Sequence, residues 1–153
     1  LGAAVRAISP AIYFVVAASL ALGMAMQATG ATAYLTDLFL YTTDGASPAV
    51  ILSALMLLLA VLTNVVSNNA AAVIGTPIAV GIAHQLQLPA EAFILAVLFG
   101  ANMSYATPMA YKTNLLVMNA GNYSFIDFVK VGVPLTLLMW AVLSWLLAVL
   151  YVW

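Results

Sequence analysis

Polar side chains are rare along this chain, and their positions divide it. From Gly45 to Ala90 no side chain carries a formal charge at pH 7, yet Thr63, Asn64, Ser67, Asn68 and Asn69 sit together in the middle of that apolar run. Asparagine competes for backbone groups and tolerates left-handed geometry, so this cluster favours a turn over a continuous helix. The run therefore predicts two helical arms, roughly 48–63 and 70–86, that meet at a polar tip. An unsatisfied polar group in hydrocarbon costs on the order of several kcal/mol, so the tip must be buried in protein, pair with itself, or face water or a ligand. Each arm is near the ~20 residues that cross a bilayer, which leaves two full spans as one reading. The favoured reading is a re-entrant hairpin over 48–86 with its tip near the midplane. A turn at the membrane surface would more often carry Lys, Arg, Asp, Gly or Pro, and this one has none of them.

On the N-terminal side, Arg6, Ser9 and Pro10 precede a predicted span over 11–29, with proline acceptable in the first turn. Ala17, Ala21 and Ala25 give it one face small enough for close helix packing. Gly30 ends it, and 31–41 mixes apolar residues with Thr36 and Asp37, as an interfacial helix does. Ser47-Pro48 suits the start of the first hairpin arm. Ala71, Gly75, Ala79 and Ala83 form a small-residue stripe on the second arm, which Pro77 is expected to bend. Ala92, Ala96, Gly100 and Ser104 form another stripe on the next helix, so the two are predicted to pack closely. His84, Gln85, Gln87 and Leu88-Pro89 mark the wet end between them.

A second polar cluster follows: Asn102, Ser104, Tyr105, Thr107, Pro108, Lys112, Thr113 and Asn114. Pro108 removes a helical hydrogen bond and frees carbonyls near Ser104, which predicts a broken helix over 90–119. The bland alternative is a proline kink satisfied by Ser104 or Thr107. Lys112 is either near an aqueous mouth or a buried counter-charge. Asn119 to Ser124, with Gly121, reads as a turn, 125–130 as an interfacial segment and 131–153 as a last span, with Trp140 and Trp145 as packing residues inside it.

Composition fixes the class. With 67% hydrophobic and 5% charged residues and a mean hydropathy of +1.19, the chain is an all-α polytopic membrane protein. Leu1 and an apolar C-terminal Trp153 read as the ends of a piece of a longer protein. If the hairpin is re-entrant, Arg6 and Lys130 fall on one side and Asp37, Asp44, His84 and Glu91 on the other, with the basic side cytoplasmic. The absence of Cys excludes disulfides and thiolate chemistry, and no basic patch offers itself to nucleic acid. An intramembrane protease would need a base beside a serine or two buried aspartates, and neither is present, so the reading is not an enzyme and no cofactor is expected.

Transport fits better. A helix that starts at the tip points its positive end and unpaired N–H groups there, which suits an anion. Ser67 and the asparagine carbonyls suit a dehydrated sodium ion, and half-helix ends at membrane depth hold ions and substrates in carriers.

Taken together, Thr63-Asn64-Val65-Val66-Ser67-Asn68-Asn69 followed by Ala70-Ala71-Ala72, then Ala106-Thr107-Pro108, then Tyr123-Ser124-Phe125-Ile126-Asp127-Phe128 before Val131-Gly132-Val133-Pro134 resemble the divalent anion:sodium symporter family of the ion transporter superfamily. The chain resembles the C-terminal half of such a permease, half of an inverted-repeat transporter whose partner hairpin lies in an N-terminal half. The resemblance implies sodium-coupled transport of a dicarboxylate, citrate or sulfate by alternating access, in a multi-pass protein of a cell membrane, with the bacterial inner membrane expected. It assigns substrate to Ser67, Asn68, Asn69, Thr107 and Pro108. It assigns sodium, the coupling ion, to Thr63, Asn68, Ala106, Thr107 and Pro108, largely through main-chain oxygens. The implied partners are the small anion, sodium, the lipid bilayer, the N-terminal half and a second copy in a homodimer. Asn69 stands where the family usually has Thr, Asn64 where some members have Glu, and Met109 where a second Pro is common. The segment Tyr111-Lys112-Thr113-Asn114 resembles the subgroup with soluble regulatory domains between its halves. The competing readings are an arsenite or sodium/proton exchanger of the same superfamily and a non-transporting membrane scaffold.

Overall fold

Proline, glycine and asparagine set most of the helix boundaries in the computed structural model, which describes residues 10–152. These form seven α-helices, one 3-10 turn and no strand. Arg6, Ser9 and Trp153 lie outside the described residues.

Helix α1 (Pro10–Ala28) and α2 (Ala31–Thr42) are separated by Gly30, whose φ of 76° is a conformation that glycine adopts at no steric cost. The two meet at a 74° bend. Helix α3 (Pro48–Thr63) begins with proline in its first turn after an extended Ser47, which makes no side-chain cap. Helix α4 (Asn68–Leu86) is capped by Ser67, whose Oγ accepts the Ala70 N–H at 3.2 Å, and it runs through Pro77 without interruption. Gln87 takes a left-handed conformation at its end (φ 55°).

The next segment is not one kinked helix. Helix α5 (Ala90–Ala101) stops well before Pro108, and 102–107 lead into a 3-10 turn (Pro108–Ala110) and then α6 (Lys112–Gly121). Pro108 shapes this loop by holding its predecessor extended, with Thr107 at φ −131° and ψ 147°. Helix α6 ends at Asn122, which is left-handed (φ 53°), so asparagine and not Gly121 makes this turn. The last helix, α7 (Phe125–Tyr151), begins at Phe125 where Val131 was expected. Ser124 and Asp127 form a capping box that extends it to Phe125.

Helices α3, α4 and α5 form the core, and α2 and α7 pack on its flanks. Both small-residue stripes are buried. A Cβ on Gly75 would meet Leu59 Cδ1 of α3 at 2.7 Å and Val97 Cγ1 of α5 at 3.1 Å. One on Gly100 would meet the Met56 carbonyl oxygen of α3 at 2.6 Å. Helix α4 packs closely against α5 as expected, and Leu59 of α3 is wedged against a glycine of each. The Ala17, Ala21 and Ala25 face of α1 is exposed. Trp140 packs and donates Nε1–H to the Ser53 carbonyl at 2.9 Å, whereas Trp145 is exposed.

Among the described residues only α7 is long and apolar enough to cross a membrane alone, and the bent pair α1 and α2 passes the same test together. Helix α3 has 16 residues, a length of ~24 Å at 1.5 Å per residue against a hydrocarbon core ~30 Å thick.

Candidate functional site

Where α3 ends, its last carbonyls lose their helical partners. The polar residues at 63–68 answer that need and, in doing so, tie the hairpin tip to the loop after α5. Thr63 is fully buried, and its Oγ1 lies 2.7 Å from the Ala101 carbonyl oxygen and 2.8 Å from Asn68 Oδ1. A hydroxyl has one proton, so it cannot donate to both. When Ala101 receives it, Thr63 Oγ1 and Asn68 Oδ1 face each other with no proton between them, unless the Asn68 amide turns its nitrogen inward. A cation relieves such a pair equally well.

Asn64 does more than the sequence reading gave it. Its Nδ2 donates to the Ala60 carbonyl at 2.7 Å and to the Met103 carbonyl at 3.0 Å. Its Oδ1 accepts the Ala106 N–H at 3.0 Å, and its own carbonyl accepts the Thr107 hydroxyl at 2.8 Å. From the far side, Asn114 Nδ2 donates to the Ser104 carbonyl at 2.8 Å and the Thr107 carbonyl at 3.2 Å. The carbonyls expected to be freed by a broken helix are thus held by asparagine amides. An Asn inside a polar cluster is the only signal the sequence carried for these roles.

The expected site residues fall into two groups. Thr63, Asn68, Ala106 and Thr107 are gathered around this junction by the bonds above, with Pro108 buried beside them. Ser67 and Asn69 are exposed at the start of α4, Ser67 with its oxygen engaged as the helix cap. Lys112 is exposed, so among the described residues it is not a buried counter-charge. Among the described residues the junction contains no carboxylate: Asp37 accepts a hydrogen bond from Gln85 at 2.8 Å near the far end of α4, and Asp127 caps α7.

Chemically, this is a set of neutral oxygen donors from hydroxyl, amide and main chain. Hard cations such as sodium are bound through oxygens of this kind, with unwound helix carbonyls among them. Substituting Thr63 by Val, which keeps the shape, should lower the melting temperature measured without added ligand. The change leaves the buried Ala101 carbonyl and Asn68 without the hydroxyl, a loss of about 1–3 kcal/mol. Thr63→Ser should recover most of it.

The citrate transporter (CitMHS) family model matches residues 1–153. An uncharacterized transporter of Synechocystis is 36% identical over 128 residues, 84% of this chain and 21% of that protein. A probable sodium/sulfate cotransporter 3 of Chlamydomonas reinhardtii is 32% identical over 151 residues, 97% of this chain and 17% of that protein. The uncharacterized transporter YfbS of Escherichia coli is 37% identical over 119 residues, 78% of this chain and 20% of that protein. The chain thus spans about a fifth of the length of these relatives. With the family model covering every residue and the relatives being membrane transporters, the chain belongs to the citrate transporter family, a permease region of the divalent anion:sodium symporter type.

Proposed function

We propose that this chain forms one side of the binding site of a sodium-coupled carrier for a small divalent oxyanion. Sulfate is the first candidate, and citrate and dicarboxylates follow. The observation that supports it most is the junction itself. Three asparagines, two threonines and an unwound loop converge at one end of an apolar bundle. Polar groups are costly in an apolar core, and so many of them at one point suit a ligand or a motion.

In this reading α3 and α4 are a re-entrant hairpin, in keeping with the shortness of α3, and the broken segment 90–121 lies against its tip. Sodium is taken up beside Thr63, Asn68 and the loop at Ala106, Thr107 and Pro108. The anion sits at the exposed start of α4, near Ser67 and Asn68, where first-turn N–H groups and the positive helix end favour negative charge. Positive charge from sodium and from the helix end then balances the anion without an intramembrane Arg. The names of several relatives, among them sodium/sulfate cotransporters 1 and 2 of Chlamydomonas reinhardtii, support the choice of sulfate and sodium. A proton-coupled exchanger needs a titratable group at depth, and the junction has no carboxylate among the described residues. The rest of the permease supplies the opposing hairpin, a second copy completes a homodimer, and the bacterial inner membrane is the expected location.

The test is thermal unfolding of the intact permease in detergent, in sodium, lithium or potassium chloride, with and without sulfate, succinate or citrate. A ligand at a hundred times its dissociation constant stabilises by about 2.7 kcal/mol, which a melting curve resolves. We expect a sodium-specific rise that grows with one anion and disappears in Asn68→Ala. Stability indifferent to every ion, with the variant merely weaker throughout, would leave the junction as interhelical glue.

A further inference from the structure

The loop between α5 and α6 has little of its own structure to hold it, and four of its main-chain groups end on two side chains. Asn64 takes the Met103 carbonyl and the Ala106 N–H, and Asn114 takes the Ser104 and Thr107 carbonyls. Asn64 belongs to the hairpin tip and Asn114 to α6, so the loop is strapped from both sides by separate elements. Each amide uses chemistry that no other side chain of its size offers. Asn64 donates and accepts at once, which a carboxylate, a hydrocarbon or an ammonium at that position could not do.

Packing does not make these straps redundant. Tyr105 and Asn114 line a cavity of about 400 Å³ on the side of the loop that faces α7, together with Tyr123, Phe128 and Gly132. Helix α7 touches the loop closely only at Gly132, against the Tyr105–Ala106 peptide, and leaves open space beside Tyr105 and Asn114. Residues that orient ligating groups without touching the ion commonly change metal affinity by 10–100-fold when removed.

We propose that Asn64 and Asn114 are positioning residues that set the sodium affinity of the carrier by fixing the main chain from Met103 to Thr107. The inference rests on the sodium-coupled reading above, which counts both asparagines in the junction but gives neither a contact to a ligand. Neither side chain contributes an oxygen to the ion. Asn64 Oδ1 is committed to the Ala106 N–H, and Asn114 presents its Nδ2 to the loop. Their effect is therefore on the sodium requirement and not on the maximal rate.

The experiment is uptake of labelled sulfate by the intact permease in proteoliposomes, measured against sodium concentration. The variants are Asn64→Ala, Asn114→Ala and, as a control that loses one hydrogen bond elsewhere in the bundle, Trp140→Phe. We expect each asparagine variant to raise the sodium concentration for half-maximal uptake by about tenfold or more. The rate at saturating sodium and the sulfate KM measured there should stay within about twofold of wild type, since ordering the loop with excess ion restores its geometry. Trp140→Phe should lower the melting temperature without moving the sodium curve. Asn114→Ala, half-buried at the rim, provides the same comparison if Asn64→Ala does not fold. Sodium curves of both asparagine variants that overlay wild type would overturn the positioning role alone. Wild-type uptake indifferent to sodium would overturn the proposed function and this inference with it.

Discussion

Replacing Gly132 by Ala should abolish sodium-dependent behaviour of the permease and lower its melting temperature, although Gly132 belongs to the last helix and to no expected site. Its Cα lies against the loop so closely that a Cβ would run into the Tyr105 carbonyl and within 2.6 Å of the Ala106 Cα. These are main-chain atoms, which cannot swing aside as a side chain would. The same peptide is held on its other face, because the Ala106 N–H bonds Asn64 Oδ1. A trans peptide directs its N–H and C=O oppositely, so the Tyr105–Ala106 unit is gripped at both ends, by the hairpin tip and by α7.

Helix α7 has no easy retreat. Ser144 of α7 lies 3.1 Å from Ser53 Oγ and 3.8 Å from Met56 Sδ, both of α3. Forcing one extra carbon into a packed place costs about 1–3 kcal/mol, and more where the neighbours are fixed. The strain is relieved only by turning the loop, and about 1.4 kcal/mol spent there is already a tenfold loss of ion affinity. The measurement is the melting temperature of Gly132→Ala with and without sodium, beside Val131→Ala, whose side chain is exposed. An alanine variant that keeps the sodium-dependent rise would show that the Tyr105–Ala106 peptide is not part of the ion site.

How much of this was legible in the sequence depended on whether the signal was local. The tip was readable because Thr63 to Asn69 is one unbroken polar stretch in an apolar run. The loop was readable because Pro108 sits among hydrogen-bonding residues. The bonding between them was not. Asn64 and Ala106 are brought together by the packing of α3 against α5, which is a property of the folded bundle. Pro108 was credited with ending the helix, but α5 ends at Ala101. There Asn102 turns its Nδ2 back to the Leu98 carbonyl at 2.7 Å, and the proline acts on Thr107 instead. Small-residue periodicity gave the buried faces of α4 and α5 correctly, yet it could not say that Gly100 meets a carbonyl of α3. The same pattern on α1 lies exposed in this chain, since a stripe states that close packing is possible and not what packs there.

Gly100→Ala and Gly75→Ala should part company for the same physical reason, and the first should be severe. Alanine in a helix is favoured over glycine by about 1 kcal/mol, so both changes begin with a gain, smaller at Gly100 because it is next to the helix end. At Gly75 the new methyl meets the tip of Leu59, 2.7 Å away at Cδ1, and Val97 Cγ1 at 3.1 Å, both side-chain ends that can give by small shifts. At Gly100 it meets the Met56 carbonyl oxygen at 2.6 Å and Leu59 Cβ at 2.8 Å, the near end of that side chain and the backbone of α3. Relief there requires α5 to move away from α3. That movement draws the Ala101 carbonyl off Thr63 Oγ1, now at 2.7 Å, and leaves a buried carbonyl unpaired while the hydroxyl turns to Asn68 Oδ1, at a further cost of about 1–3 kcal/mol. The expected result is a melting temperature for Gly75→Ala near that of wild type, and for Gly100→Ala a large fall together with loss of the sodium response. Because the two glycines flank one leucine, equal losses from both substitutions would mean that Leu59 is the rigid element and that α5 does not meet the α3 main chain at Gly100.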